Sequence, residues 1–141
     1  MSVYLDPSVI VSLFISDASS PQADKILRTA QIDIVVSNFA AAEFASVLSR
    51  RVRARELTAA HARTVFAEFD EWCLRSVQLV EIASEDIAAA ASLLRRLNTT
   101  LRTPDALHLA LTGRLQVQLL TFDKKMSAAA RALGVEVFVR A

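Results

Sequence analysis

Glycine is almost missing from this chain, with only Gly113 and Gly134 among 141 residues, and proline is nearly as rare at Pro7, Pro21 and Pro104. A glycine-rich phosphate loop or dinucleotide fingerprint is therefore excluded, and with it the usual route to a nucleotide cofactor. Connections should be short and the elements mostly helical. The single cysteine, Cys73, cannot build an internal disulfide framework and suits a reducing cytoplasm. Two separated histidines, His61 and His108, offer no zinc site without a cysteine cluster. There is no GxSxG to suggest a serine nucleophile. No uncharged apolar run approaches the ~18 residues of a membrane span. The start, MSVYLDPSVI, has neither the basic region nor the apolar stretch of a secretory signal. A soluble, cytoplasmic protein without a membrane association is expected.

Neither sign of charge prevails: 16 Lys and Arg stand against 15 Asp and Glu. That balance argues neither for nor against nucleic acid, but the distribution is uneven. Arg50, Arg51, Arg53 and Arg55 form one basic group, Arg95, Arg96 and Arg102 a second, and Lys124 and Lys125 follow Asp123 directly. What the chain has in excess is apolar side chain, 53% against 22% charged. A chain of this size and balance buries a real core and reads as a single domain over residues 1–141, with apolar surface to spare for a partner.

Periodicity and capping signals divide it. Ser2–Leu5 reads as a buried strand, with Asp6 as N-cap and Pro7 as the first residue of a helix. Ser20-Pro21 repeats that signal and opens a helix to about Ala30. Ile32–Val36 is β-branched and reads as a strand, and Asn38 should cap a long helix from Phe39 to about Arg53. A helix from near Thr58 to about Arg75 carries Val65, Phe66, Phe69, Trp72 and Cys73 on its apolar side. Val77–Ile82 reads as a strand, and Ser84 should cap a helix ending near Leu97. Thr103 should cap the next helix, with Pro104 as its first residue. Val117–Phe122 reads as a strand, Asp123 opens a helix to about Leu133 stopped by Gly134, and Val135–Val139 is a last strand. Strands alternating with helices imply an α/β fold with a parallel sheet covered on both faces.

Parallel sheets bind ligands at the carboxyl ends of their strands, where strand order reverses. Asp6 and Asp123 each follow a strand, and Glu43 and Asp105 are expected in the first turns of helices beginning at that same edge. Taken singly, Asp6, Asp105 and Asp123 read equally well as helix caps or dipole partners. Glu43 does not: in AAAEFASVL it shares a side with Phe39, Ala40 and Val47 and has no basic residue at i±3 or i±4. Unless it reaches water at the stripe's edge, it needs a partner. A hard divalent cation, Mg²⁺ or Mn²⁺, would resolve all four acids at once, since such ions take oxygen ligands and are held by a few carboxylates plus substrate phosphate. His108 lies one helical turn after Asp105 and could face the same cleft, although a lone histidine in ALHLAL is more often packed and hydrogen-bonded. The arginines Arg50–Arg55 complement a helix C-terminus or contact RNA phosphates. They stand about three to four turns, roughly 15 Å or more, along the helix from the end that carries Glu43. Lys124 lies closer to the acids, directly after Asp123.

Asp6-x-Ser8 after the first strand, Glu43 in an early helix, Thr103-Pro-Asp-Ala-Leu-His108, and Thr121-x-Asp123 together resemble the PIN-domain family, and within it the VapC-type toxins of toxin–antitoxin pairs. The resemblance covers nearly the full length in the family's order, with Pro7 standing where many relatives have Thr or Ser. It implies a three-layer α/β/α sandwich around a parallel sheet of four to five strands, and a Mg²⁺- or Mn²⁺-dependent endoribonuclease. Asp6, Glu43, Asp105 and Asp123 would form the acidic metal site, supported by Ser8 and Thr121. Arg50, Arg51 and Lys124 are candidate RNA contacts. In-line attack of water would leave a 5′-phosphate and a 3′-hydroxyl. A homodimer and a cognate VapB-like antitoxin are implied as well. Two other readings remain: a receiver-like Mg²⁺-binding signalling domain, although Ala83-Ser84 stands where its phosphoacceptor aspartate belongs, and a catalytically silent PIN-like module that only binds a partner.

Overall fold

The structure, a computed structural model, describes residues 1–29 and 31–138. Four strands, β1 (Ser2–Leu5), β2 (Asp33–Ser37), β3 (Val77–Val80) and β4 (Gln118–Leu120), pair entirely in parallel in the order β3-β2-β1-β4. Between them run α1 (Pro7–Phe14), α2 (Ser20–Thr29), α3 (Asn38–Arg53), α4 (Ala59–Ser76), α5 (Ser84–Leu94) and α6 (Thr103–Leu115), and α7 (Lys124–Ala132) follows β4. Strand alternation sorts side chains to the two faces. Val3, Leu5, Val36 and Leu120 pack with Val9, Phe44, Leu48, Val65 and Phe69 of α1, α3 and α4. Tyr4, Val35 and Leu119 point the other way, onto Leu109 and Leu111 of α6 and Met126 and Ala130 of α7. The result is the expected three-layer α/β/α sandwich.

Several boundaries differ from the sequence reading, and one cause covers most of them. The residues expected to cap α2, α3, α5 and α6 are instead their first helical residues. In α5 and α6 an acid inside the first turn reaches back: Asp86 Oδ2 accepts from Ala83 N–H at 2.8 Å and Asp105 Oδ2 from Arg102 N–H at 3.2 Å. Ser20 Oγ likewise accepts from Asp17 N–H at 2.9 Å. Each of these side chains satisfies the N–H three residues back, a different donor from the N2 and N3 N–H groups that a capping hydroxyl serves. In α3, Ser37 caps by accepting from Ala40 N–H at 2.9 Å, which frees Asn38 Oδ1 to accept from Ile82 N–H at 2.8 Å.

β2 runs one residue later than expected, β3 and β4 are shorter, and α5 stops at Leu94 because the chain turns through Leu97 at φ 60°. Asp6 and Asp123 cap as expected, Thr58 caps the helix expected to begin near it, and Gly134 ends the last helix region at φ 79°. The expected last strand is reduced to a bridge: Val137 pairs with Leu119, whose N–H donates to Glu136 O and whose O accepts from Phe138 N–H, both at 2.8 Å. Its final residue, Val139, and the end of the α2 expectation, Ala30, lie outside the described residues.

Candidate functional site

Strand order reverses between β1 and β4. The chain builds outward from β1 to β2 to β3, then returns through α5 and α6 to place β4 on the other side of β1. At the carboxyl end of this pair, Asp6 N–H donates to Leu120 O at 3.2 Å, so the residues following the two strands are held side by side. Asp6 is buried. Its Oδ1 caps α1, accepting from Ser8 N–H at 2.9 Å and from Val9 N–H at 3.4 Å, and also accepts from Ser8 Oγ at 2.5 Å. Its Oδ2 accepts from Thr121 Oγ1 at 2.6 Å. Burial pushes the Asp6 carboxyl above its ordinary range, although the hydroxyls of Ser8 and Thr121 and the Val9 N–H favour the charged form.

Thr121 is a strut between two of the expected acids. While donating to Asp6, its Oγ1 accepts from Asp123 N–H at 3.0 Å. Asp123 is exposed, and its Oδ1 caps α7 by accepting from Lys125 and Met126 N–H at 2.9 and 3.3 Å. Ser8 braces from the opposite side: its Oγ accepts from Phe122 N–H at 3.3 Å. The fold thus links Asp6, Ser8, Thr121 and Asp123 directly.

Glu43 lies in the second turn of α3, not the first, and its partner is distant in sequence. Its Oε1 is in contact with His108 Nε2. His108 is buried, and its Nδ1 lies 2.6 Å from the Tyr4 hydroxyl, which lies 2.7 Å from Ser37 Oγ. Burial pushes the Tyr4 phenol well above its ordinary value, so it keeps its proton. With an ionised Glu43 and a neutral imidazole, one set of directions satisfies every atom. Ala40 N–H donates to Ser37, Ser37 to Tyr4, Tyr4 to His108 Nδ1, and His108 Nε2–H to Glu43. Sequence reasoning found His108 but missed this chain. The available signal was Tyr4 itself, a phenol in an otherwise aliphatic strand that needs a buried partner.

Asp105 is half-buried, one turn ahead of His108 on α6. Three of the acids engage one oxygen, Asp105 and Asp123 locally and Glu43 with His108, and leave the other without a hydrogen bond among the described residues: Glu43 Oε2, Asp105 Oδ1 and Asp123 Oδ2. Among those residues no Lys or Arg lies within ion-pair distance of any of the four. By type, this all-oxygen donor set fits a hard divalent cation. By position, no three His, Cys, Asp or Glu side chains among the described residues are grouped as a ready-made cage. Mg²⁺ does not require one, since it keeps several waters and takes one or two carboxylates with substrate phosphate. Lys124 is exposed beside Asp123, and Arg50 and Arg51 line a groove together with Pro7 and Ser8.

The PIN domain family matches residues 3–132. The chain is 30% identical over 139 residues to Ribonuclease VapC46 of Mycobacterium tuberculosis, spanning 96% of this chain and 95% of that protein. Among solved structures it is similar to VapC20 of Mycobacterium tuberculosis, described as a Sarcin-Ricin loop cleaving toxin, with a TM-score of 0.76 at 21% identity over 99% of both chains. VapBC2 from Rickettsia felis, bound to a DNA fragment from its promoter, gives a TM-score of 0.70 at 12% identity over 100% of both chains. FitAcB from Neisseria gonorrhoeae gives 0.69 at 16% identity, covering 97% of this chain and 96% of that one. At such low identities these structures speak to the fold.

Proposed function

The chain belongs to the PIN-domain family, and on that premise we propose that it is a divalent-metal-dependent endoribonuclease, the toxin of a toxin–antitoxin pair. The observation that carries the reading is Asp6: a buried carboxylate at the point where strand order reverses, clamped by two hydroxyls and, among the described residues, in no ion pair with Lys or Arg. A carboxylate so placed raises its own pKa unless a cation shares the site. Asp6 and Asp105 would hold Mg²⁺ or Mn²⁺, with Glu43 and Asp123 completing the pocket. Such an ion, when bound, supplies Lewis-acid polarisation of the phosphoryl group and acidifies water.

The chain's own groups do the rest. Ser8 and Thr121 fix both oxygens of Asp6 and favour its charged form. His108 holds Glu43 by one oxygen and leaves Oε2 to orient a water. In-line attack of that water on phosphorus breaks the bond to the 3′ oxygen, leaving a 5′-phosphate and a 3′-hydroxyl. Arg50, Arg51 and Lys124 contact the RNA backbone. A VapB-like antitoxin partner is supported by the likeness to VapBC and FitAB complexes, and a homodimer follows the family pattern. Membership of the PIN family leaves no role for a receiver-like domain.

The test is incubation of the purified chain with defined RNAs under Mn²⁺ or Mg²⁺, with Asp6→Asn as control, followed by mapping of cut ends on total cellular RNA after brief induction. Metal-dependent ends that vanish with the control support the reading. An inert wild-type chain would leave the silent partner-binding module in its place.

A further inference from the structure

One groove beside the acids has a character the acids do not share. It encloses about 320 Å³ and is lined in part by Pro7, Ser8, Val47, Arg50, Arg51 and Phe122. That volume is at the low end of the roughly 300–1,000 Å³ of ligand sites, room for one nucleotide unit and not for a duplex. Ser8 belongs to both places, since it lines the groove while its hydroxyl donates to Asp6. Arg50 is exposed and Arg51 half-buried, and neither is in an ion pair or hydrogen bond among the described residues. Arg53, two residues on, has turned away to donate to Ser49 Oγ at 2.9 Å. The groove's one acid, Asp17, is occupied by Ser12 Oγ at 3.0 Å, Ser19 N–H at 2.8 Å and Ser20 Oγ at 3.3 Å. Two arginines therefore line the groove with no protein anion bound to them among the described residues.

We propose that this groove is the subsite for the nucleotide next to the scissile phosphate of a single-stranded RNA. Arg50 and Arg51 hold its phosphodiester through their planar donor forks, and the wall of Phe122, Val47 and Pro7 takes the sugar and base. The inference rests on the RNA-cleaving reading and adds to it the side from which the strand enters and the residues that hold it there. A helix-dipole role for these arginines would account for their charge, but not for their unpaired place in the groove that Ser8 also lines.

The test is fluorescence anisotropy with a labelled single-stranded RNA, in an Asp105→Asn background so that the probe stays whole. Arg50→Gln with Arg51→Gln should weaken binding about tenfold or more. It should also reduce the slope of log affinity against log salt by about 0.7, the value for one neutralised phosphate on a single strand, with the thermal midpoint unchanged. Arg50→Lys with Arg51→Lys should keep the slope and lose part of the affinity. Phe122→Leu should lower affinity at constant slope, and Arg53→Gln should change neither. Parental affinity and slope in the double Gln variant would overturn the subsite, as would a loss of affinity that only tracks a lower thermal midpoint. Cleavage by the wild-type chain separates the two readings. RNA cut normally by the double Gln variant, with unchanged KM, sinks the subsite alone. Salt-sensitive binding through Arg50 and Arg51 without any cleavage sinks the nuclease reading alone.

Discussion

The Tyr4 hydroxyl lies 2.6 Å from His108 Nδ1, joining the middle of the first strand to a helix that begins a hundred residues later in the chain. Both side chains are buried, and the contact sets the imidazole so that its other nitrogen meets Glu43. Removing the phenol oxygen leaves that buried nitrogen with no partner. Tyr4→Phe should therefore destabilise the protein by about 1–3 kcal/mol, the cost of an unsatisfied buried polar group. Urea unfolding measures it directly. Unchanged stability would mean that the hydrogen bond contributes nothing.

Thr121→Val keeps the shape of the strut and removes its oxygen. Asp6 loses a donor and the Asp123 N–H loses an acceptor. The Asp6 carboxyl should then rise further, and titration calorimetry should find weaker Mn²⁺ binding at neutral pH, with cleavage lowered in step. Parental Mn²⁺ affinity in this variant would show that Thr121 does not support the site.

Asp6→Asn should abolish cleavage while keeping the fold, because an asparagine oxygen can still cap α1 and the Thr121 hydroxyl can reverse its role from donor to acceptor. Asp105→Asn should do the same. EDTA should stop the wild-type protein, and Mn²⁺ or Mg²⁺ should restore it. Cleavage that survives chelation would end the metal mechanism.

Burial raises the Asp6 carboxyl in the folded chain, so the folded state binds a proton there that the unfolded state releases. Stability from this group is full below the ordinary carboxylate range and is lost as pH rises through the raised value. In EDTA, the stability of wild type minus that of Asp6→Asn should fall across that window, and added Mn²⁺ should recover it at neutral pH by mass action. A difference that is flat or rises with pH would contradict the shift.

Asp86 behaves in the opposite sense. Its burial would raise the carboxyl, but Arg114 donates to both oxygens, at 2.7 and 2.9 Å, and with the Ala83 N–H holds it below the ordinary range. Stability from Asp86 is present above the unfolded value and is lost as pH falls through the depressed one. Arg114→Met should lower the urea midpoint at neutral pH and remove this acid sensitivity, since the carboxylate is then buried without its cation. A midpoint matching wild type at pH 7 would show the pair to be dispensable.

Sequence alone determined whatever depends on neighbours within one turn or on simple period. The caps at Asp6 and Asp123, the stop at Gly134, the apolar stripe of α4 and the strand–helix alternation are of that kind. It also showed that Glu43 lacks a local partner and that acids follow strands. What it misplaced, the starts of α2, α3, α5 and α6, turned on which of several neighbouring polar side chains engages at the helix start, such as Asp86 where Ser84 was expected. Only the tertiary structure decided that Glu43 meets His108, that Thr121 ties Asp6 to Asp123, and that Arg50 and Arg51 come beside Ser8. Each of these contacts closes a loop of tens to over a hundred residues, and a hydrogen bond of about 1 kcal/mol cannot direct such a closure. The buried sheet and its two helical layers bring these groups within reach, and the polar atoms then pair because leaving them buried and unpaired costs more.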